Sequence, residues 1–290
     1  MAGIPTNRTN ISLPTEVSQE ILQKTQEQSA VMRLARQIAL PGRGLTIPVI
    51  TGDPEAAWVD ETNKKPVSNP SLSHKIMQAY KLAVIVPFSD EFRRDAASLY
   101  DAIVARLPLA LAGKFDATVF GPASGAPGSN FDTLGGATAQ NMTSDAYAAL
   151  VAADTAIATA GGIMDGIALS PQGKGVLLAA TDGNERPLFI NNVSEGAVPM
   201  VLGARTYLTK GAFVAGNPAN VNTVGVAGDW TQAMYGTVEG VQIRFSDAAT
   251  LTIGNEQVNL WERNMFAVRA EIEVGFRADV ACFNLLTVTP

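Results

Sequence analysis

The chain carries one histidine, His74, and one cysteine, Cys282. A Ser-His-Asp or Cys-His mechanism would have to take His74 as its base. His74 lies in an extended segment, Ser71 to Pro87, and no sequence feature aims a serine at it. An ordinary surface strand residue is the plain reading. Cys282 falls on the apolar side of an alternating run, which makes it a core residue and excludes intrachain disulfides. One His and one Cys also leave the usual zinc ligand sets unfilled. A phosphate-binding loop needs Gly, four residues, then Gly-Lys and Ser or Thr. Gly173-Lys174 has Ala168 where the first glycine belongs and Gly175 where the hydroxyl belongs; Gly113-Lys114 has Pro108 and Phe115. Both fail. The glycines of Gly121 to Gly136 are not framed by a strand and a helix, so they read as a loop. Glu271 and Glu273 could in principle form a glycosidase pair. They stand among Arg269 and Arg277 on one strand face, however, and read better as salt-bridge partners across a sheet or a subunit contact. These residues assign no catalytic centre, no cofactor and no metal.

The elements that carry these residues are unusually long. From Phe266 to Cys282 the even positions are all apolar, and the odd ones include Arg269, Glu271, Glu273, Arg277 and Asp279. Alternation with period two puts one set on each face of a strand. Within Trp261–Thr287 the strand could run about 20 residues, or roughly 65 Å. Gly275 interrupts it and marks a bulge or a close backbone approach. A helix matches it in length. Ser89 is a good N-cap, Asp90 and Glu91 suit the positive end of the dipole, and Gly121-Pro122 is a stop. Phe92, Ala96, Leu99, Ile103, Leu107 and Leu111 recur at three- and four-residue steps and make one apolar stripe. About 30 helical residues would span roughly 48 Å. Pro108 predicts a kink or a break. The expected spine of the molecule is this helix lying on that strand.

The rest of the chain follows from local signals. Residues 1–12 read as an irregular arm and Pro14 to Gln28 as a helix. Val31 to Leu40 and Leu45 to Ile50 read as strands flanking the turn Pro41-Gly42-Arg43-Gly44. Gly52 to Pro70 is polar and rich in turn formers, and Ser71 to Pro87 is extended. Together they predict a long two-stranded arm. A lone hairpin is marginal in water, so the arm implies a landing site on a neighbouring subunit. Ser144 to Ala160 reads as a helix capped by Ser144, Gly166 to Ser170 as a strand, and Pro171 to Thr181 as a helix. Val198 to Thr252 reads as a mixed sheet, so residues 141–250 predict a compact second unit.

Composition sets the outer bounds. The chain has 290 residues, 47% of them hydrophobic and 17% charged, with a net charge of −6. This is no basic nucleic-acid-binding face. The start, MAGIPTNRTNISLP, lacks a basic-then-apolar leader. The longest wholly apolar run, Leu82 to Phe88, is far too short to span a bilayer.

An ordered set of segments carries a resemblance from about residue 12 onward: LPTEVSQEIL, a hairpin ending LTIPVI, AAWVDE, KLAVIVPFSDEFRRDA, a long helix ending near FGP, IALSPQGKGVLLAATDGNERPLF, GDWTQAMYG, and NLWERNMFAVRAEIEVGFRADVACFNLLTV. In this order they resemble the major capsid proteins of tailed double-stranded DNA bacteriophages, the Hong Kong 97 fold family. The resemblance implies an α+β, Hong Kong 97-like capsid fold with a long spine helix, a long β-strand, an extended two-stranded E-loop and a mixed α/β axial domain. It implies an N-terminal arm over 1–34, a peripheral domain over 35–50, 87–140 and 251–290, an E-loop over 51–86, and an axial domain over 141–250.

The implied function is self-assembly through pentamers and hexamers into an icosahedral shell around the phage genome, in the virion, after assembly in the host bacterial cytoplasm. A shell protein needs broad contacts and no active site. The expected contact residues are Trp58 and Glu61 at the base of the arm, Lys64 and Lys65 at its tip, and Arg93, Arg94, Arg269, Glu271, Glu273 and Arg277 in charged contacts. Some relatives join subunits by a Lys–Asn isopeptide bond. Asn255 and Asn259 precede the last strand, but no register to Lys64 or Lys65 follows from the sequence. The first helix begins within about 14 residues of Met1, so the expected scaffold is a separate protein or none. A portal and a decoration protein are further implied partners, no membrane is, and DNA is enclosed without sequence-specific binding. The rival readings are an encapsulin-like compartment shell and, from another class, a phage tail or baseplate protein.

Overall fold

The computed structural model describes residues 29–42, 44–52, 58–59, 65, 71–89, 96–182, 184, 186–189, 200–216, 221–253 and 256–289. Ser29 caps a short helix, α1 (Ala30–Leu34), by accepting from the Met32 amide. Strands β1 (Arg36–Ala39), β2 (Leu45–Gly52), β3 (Ser71–Met77) and β4 (Tyr80–Ser89) follow. The long helix α2 covers Ala96–Phe120. Beyond the glycine-rich loop come β5 (Thr138–Asn141), α3 (Ala146–Thr159), β6 (Gly166–Leu169) and α4 (Pro171–Ala179). The remainder is β7 (Met200–Val201), β8 (Ala204–Leu208), β9 (Asn222–Gly228), β10 (Ala233–Thr237), β11 (Gln242–Ser246), β12 (Thr250–Ile253), β13 (Glu256–Asn259), β14 (Met265–Ala278) and β15 (Phe283–Val288).

Two sheets hold the molecule. In the first, β14 pairs with β4 along one edge, from Met265 opposite Ser89 to Val274 opposite Tyr80. Its other edge takes β11 and then β10, with β1 parallel beyond β10. The second sheet has the order β5-β15-β9-β6-β8-β7. Thus β10 and β11 belong to the first sheet, although they lie within 141–250, and β15 belongs to the second.

The helix does lie on the strand. Leu107 and Leu111 of α2 pack with Phe266, Val268, Ala270 and Ile272 of β14 in one buried cluster. Farther along, the Phe115 and Phe276 rings meet edge to face at 6.5 Å. Every even position of β14 is buried, as its alternation requires. A separate cluster joins α3 and α4 to β6, β9 and β15 through residues such as Leu150, Ile157, Leu177 and Leu286.

Several sequence expectations are corrected. The long strand ends at Ala278, a single 3-10 turn follows at Val280–Cys282, and the chain resumes as β15 in the other sheet. Asp279 causes the break: its side chain accepts from the Ala281 amide, a bond that competes with the ladder. The expected strand Val31 to Leu40 begins instead as α1, because Ser29 supplies a cap. β1 and β2 are not a hairpin, since β1 pairs with β10 and β2 with β3. α2 runs unbroken through Pro108. The lost bond costs about 3 kcal/mol, and the buried Leu107 and Leu111 seat the helix on the sheet on either side. α3 is capped by Asp145, not Ser144. The helix start at Asp90–Asp95 and the helix Pro14–Gln28 lie outside the described residues.

The second leg of the arm ends earlier than expected. The arm's paired legs are β2 and β3, and the second leg turns at Gln78-Ala79 to become β4 in the first sheet. Gly236 and Gly275 stand opposite each other in β10 and β14. A Cβ on Gly275 would sit 2.6 Å from the Gln78 carbonyl oxygen, and one on Gly236 3.0 Å from the Met77 sulfur. The corner needs both glycines, so Gly275 marks a close backbone approach and not a bulge.

Candidate functional site

The odd positions of β14 carry the charged face that the alternation predicts. Glu273 stands opposite Lys81 of β4, with 3.4 Å between carboxylate and ammonium. On the other edge Glu271 faces Gln242, and Arg269 faces Arg244. Arg269 reaches back to Glu271 at 3.5 Å, while its Nε is buried without a hydrogen-bond partner among the described residues. Lys81, Arg244 and Arg269, together with Glu239, Glu271 and Glu273, line one open groove of about 440 Å³. Three cations face three carboxylates, so the groove is polar and close to neutral. Glu271 and Glu273 each have a cation beside them, and Glu239 accepts from the Gln242 side-chain amide, an arrangement that suits a complementary charged surface better than proton transfer.

Arg277 shares the odd parity but not the environment. Its side chain is only 11% exposed. Nη1 donates to Asp132 Oδ1 at 2.7 Å, and Nε and Nη2 donate to the Ile76 carbonyl at 2.8 and 2.6 Å. Nη2 also donates to Asn130 Oδ1 at 3.0 Å. Lys75 Nζ donates to the Ala278 carbonyl at 3.0 Å, and Asp132 Oδ2 accepts from the Ala278 amide at 3.2 Å. Arg277 therefore binds the end of β3, the 130–132 loop and β14 together within one chain.

On the arm, Trp58 and Lys65 are exposed, Trp58 completely. Glu61, Lys64, Arg93 and Arg94 lie outside the described residues. His74 is exposed on β3, opposite Pro48. Among the described residues, no three His, Cys, Asp or Glu side chains gather to hold a metal ion, and no helix is long and apolar enough to cross a membrane.

The most highly built polar site is one the sequence analysis passed over. Asp116, fully buried in α2, accepts from Ser29 Oγ at 2.6 Å, the Ala30 amide at 2.9 Å, the Val31 amide at 3.3 Å and Thr209 Oγ1 at 2.8 Å. It satisfies the amino end of α1 and fixes both α1 and the turn after β8 to the long helix. Burial pushes its carboxyl above the ordinary range, and these four donors pull it partway back. The available signal was one acid between Phe115 and Val119 on the stripe that α2 buries. Burial, then the nearby Asp279 and Asp229 charges, likewise push the Cys282 thiol up.

Comparison with known proteins gives a consistent picture. The model of the Phage capsid family matches residues 10–280. The chain is 29% identical over 284 residues to the "Probable major capsid protein gp17" of Mycobacterium phage L5, covering 92% of this chain and 86% of that one. The protein of the same name from Mycobacterium phage D29 is 27% identical over 300 residues, covering 95% and 89%. Among solved structures, a chain of Gordonia phage Cozz superposes with a TM-score of 0.73 at 23% identity, covering 91% and 87%. A capsid chain of a native GTA particle gives 0.63 at 13% identity, covering 100% and 96%.

Proposed function

The chain belongs to the phage capsid family, and on that premise we propose how it builds a shell. It is a major capsid protein of a tailed phage, a structural component of the virion that associates with copies of itself. The observation that carries this reading is the family match across nearly the whole chain on a mixed α+β capsid fold. The names of the relatives favour it over an encapsulin-like compartment and over a tail or baseplate protein.

The finer reading assigns a Hong Kong 97 fold. α2 with the β14 sheet is the core of the peripheral domain, and the β15 sheet with α3 and α4 is the core of the axial domain around five- and six-fold centres. The β2–β3 ribbon is the E-loop and residues 1–34 are the N-terminal arm. The subunits form pentamers and hexamers that close into an icosahedral shell in the host bacterial cytoplasm. Their proposed partners are a portal and a decoration protein, with a separate scaffolding protein or none. A projecting ribbon with a fully exposed Trp58 supports this, since such a surface is costly for a monomer. The neutral charged groove is a second contact surface. Where its negative charges face inward, the net charge of −6 would disfavour adhesion of enclosed DNA to the wall.

Negative-stain microscopy with sedimentation of the purified chain tests the reading. Closed shells of uniform diameter, or free pentamers and hexamers, are expected. A chain that stays monomeric at high concentration under every salt and scaffold condition would overturn it.

A further inference from the structure

One pairing in the first sheet is unfavourable as it stands. Arg244 of β11 and Arg269 of β14 are directly opposite each other in the antiparallel ladder. Both lie on the face turned away from α2, which packs on Phe266, Val268, Ala270 and Ile272. Side chains so opposed stand about 5 Å apart at Cβ, and like charges there destabilise the pair. The neighbours offset this only weakly. Among the described residues, Arg269 reaches only Glu271, at 3.5 Å, and Arg244 donates only to Gln242 Oε1, at 3.4 Å. Arg269 Nε is buried with no partner among them. A guanidinium carries five N–H donors, so two adjacent forks are left mostly unused. Buried polar groups are ordinarily paired, and an orphan of this kind calls for a physical reason.

The groove of about 440 Å³ supplies the room, and the strand register sorts its charges. Lys81 and Glu273 face each other at one end, Glu271 and Gln242 in the middle, and Arg244 and Arg269 at the other end. Four strand positions, or about 13 Å, separate Glu273 from Arg269. Lys81 and Glu273 neutralise each other, and Glu239 is engaged by the Gln242 side chain. Glu271 offsets at most one of the two guanidiniums. The arginine end therefore keeps an excess of positive charge, although the groove as a whole is close to neutral. That combination selects a small anion. A long polyanion such as nucleic acid would also lie across the three carboxylates. A phosphate dianion carries charge for two guanidiniums and oxygens enough to take both forks.

We infer that Arg244 and Arg269 form a binding site for a small phosphate-class oxyanion at the arginine end of the groove. The bound ion turns a cross-strand repulsion into a bridge between β11 and β14. Glu271 competes with it for Arg269, which holds the affinity to the millimolar range. The site lies within one chain, so the inference goes beyond the shell reading and does not depend on it.

The test uses the unassembled full chain with inorganic phosphate as the probe, at an ionic strength held constant with sodium chloride. Phosphorus NMR should show line broadening that saturates at millimolar phosphate, and phosphate should raise the melting temperature of the wild type. Arg244→Gln and Arg269→Gln should each weaken binding about tenfold, the loss of one charge-assisted contact. Arg205→Gln, at an exposed arginine on β8, should bind as the wild type does. Without phosphate, Arg244→Gln should melt no lower than the wild type, because it removes a repulsion; a purely structural role for Arg244 would lower it. Should Arg269→Gln fail to fold, the exposed Arg244 decides the matter alone. Broadening that never saturates, or that is equal in the wild type and Arg244→Gln, overturns the inference. Loss of shell assembly in Arg244→Gln, with no phosphate binding by the wild type, would assign the pair to a carboxylate on another copy and overturn the ion site.

Discussion

Asp229 and Asp279 open matching turns on neighbouring strands, and each donates its backbone amide to the end of the other's turn. The Asp229 amide reaches the Cys282 carbonyl at 3.1 Å, and the Asp279 amide reaches the Gln232 carbonyl at 3.2 Å. Each carboxylate caps its own single 3-10 turn, at Thr231 and at Ala281. Pairing resumes on both sides, with Ala233 opposite Ala278 in one sheet and Gly228 opposite Phe283 in the other. The ribbon β9–β10 against β14–β15 thus crosses between sheets without leaving its backbone groups unpaired. Trp230 fills the crossing, in edge contact with Phe283 at 5.2 Å and Phe120 at 6.3 Å.

The two caps should differ in strength. Asp279→Ala removes one capping bond and should cost about 1 kcal/mol. Asp229 also accepts from Thr231 Oγ1 and the Ile163 amide, so Asp229→Ala should cost about 2 kcal/mol or more. Urea unfolding of the unassembled chain would measure both. Equal costs would argue against this assignment.

Asp116→Ala leaves the Ala30 and Val31 amides without their acceptor and should cost about 3 kcal/mol. Hydrogen exchange should show early loss of protection in α1.

The pH dependence of Asp116 has a definite sign. Its folded pKa is raised above the ordinary 3.8, so the folded state holds that proton more tightly. Its contribution is complete below 3.8 and is lost as pH rises through the folded value. Asp165, raised first by burial and then by the charge of Asp229, adds the same trend. Asp116→Asn removes one of these titrations. Urea unfolding of the wild type and of Asp116→Asn, compared from about pH 4 upward, should show a weaker decline in the variant.

Arg277→Ala should strip three acceptors of a mostly buried guanidinium and cost about 3 kcal/mol. Arg277→Lys should recover little, since an ammonium cannot reproduce the planar fork that spans Asp132, Asn130 and the Ile76 carbonyl. Thermal unfolding of both variants checks this. Full recovery by lysine would show that charge alone matters there.

Gly275→Ala puts a Cβ 2.6 Å from a backbone oxygen at the arm's corner. Gly275 cannot move without disturbing the β10–β14 ladder, nor Gln78 without shifting the corner between β3 and β4, so a loss of about 1–3 kcal/mol is expected. Thermal unfolding would detect it. The control is Gly113→Ala on α2, where a Cβ meets nothing within 4 Å.

The sequence by itself determined which faces are apolar. The even positions of β14, the buried Leu107 and Leu111 of α2, and the start of α4 at Pro171 were legible because periodicity and helix-start signals are local properties. What only the tertiary structure decided was partnership. The apolar alternation runs on through Val280 and Cys282, so nothing in the pattern announces that the chain leaves one sheet for another at Asp279. Arg269 and Arg277 have the same parity, yet one lines an open groove and the other is enclosed by Asp132, Asn130 and Ile76. Asp116 looks like a flaw in an apolar stripe until Ser29 and Thr209, more than eighty residues away in either direction, bring donors to it. Period fixes the face a residue takes, whereas the group it meets depends on long-range register.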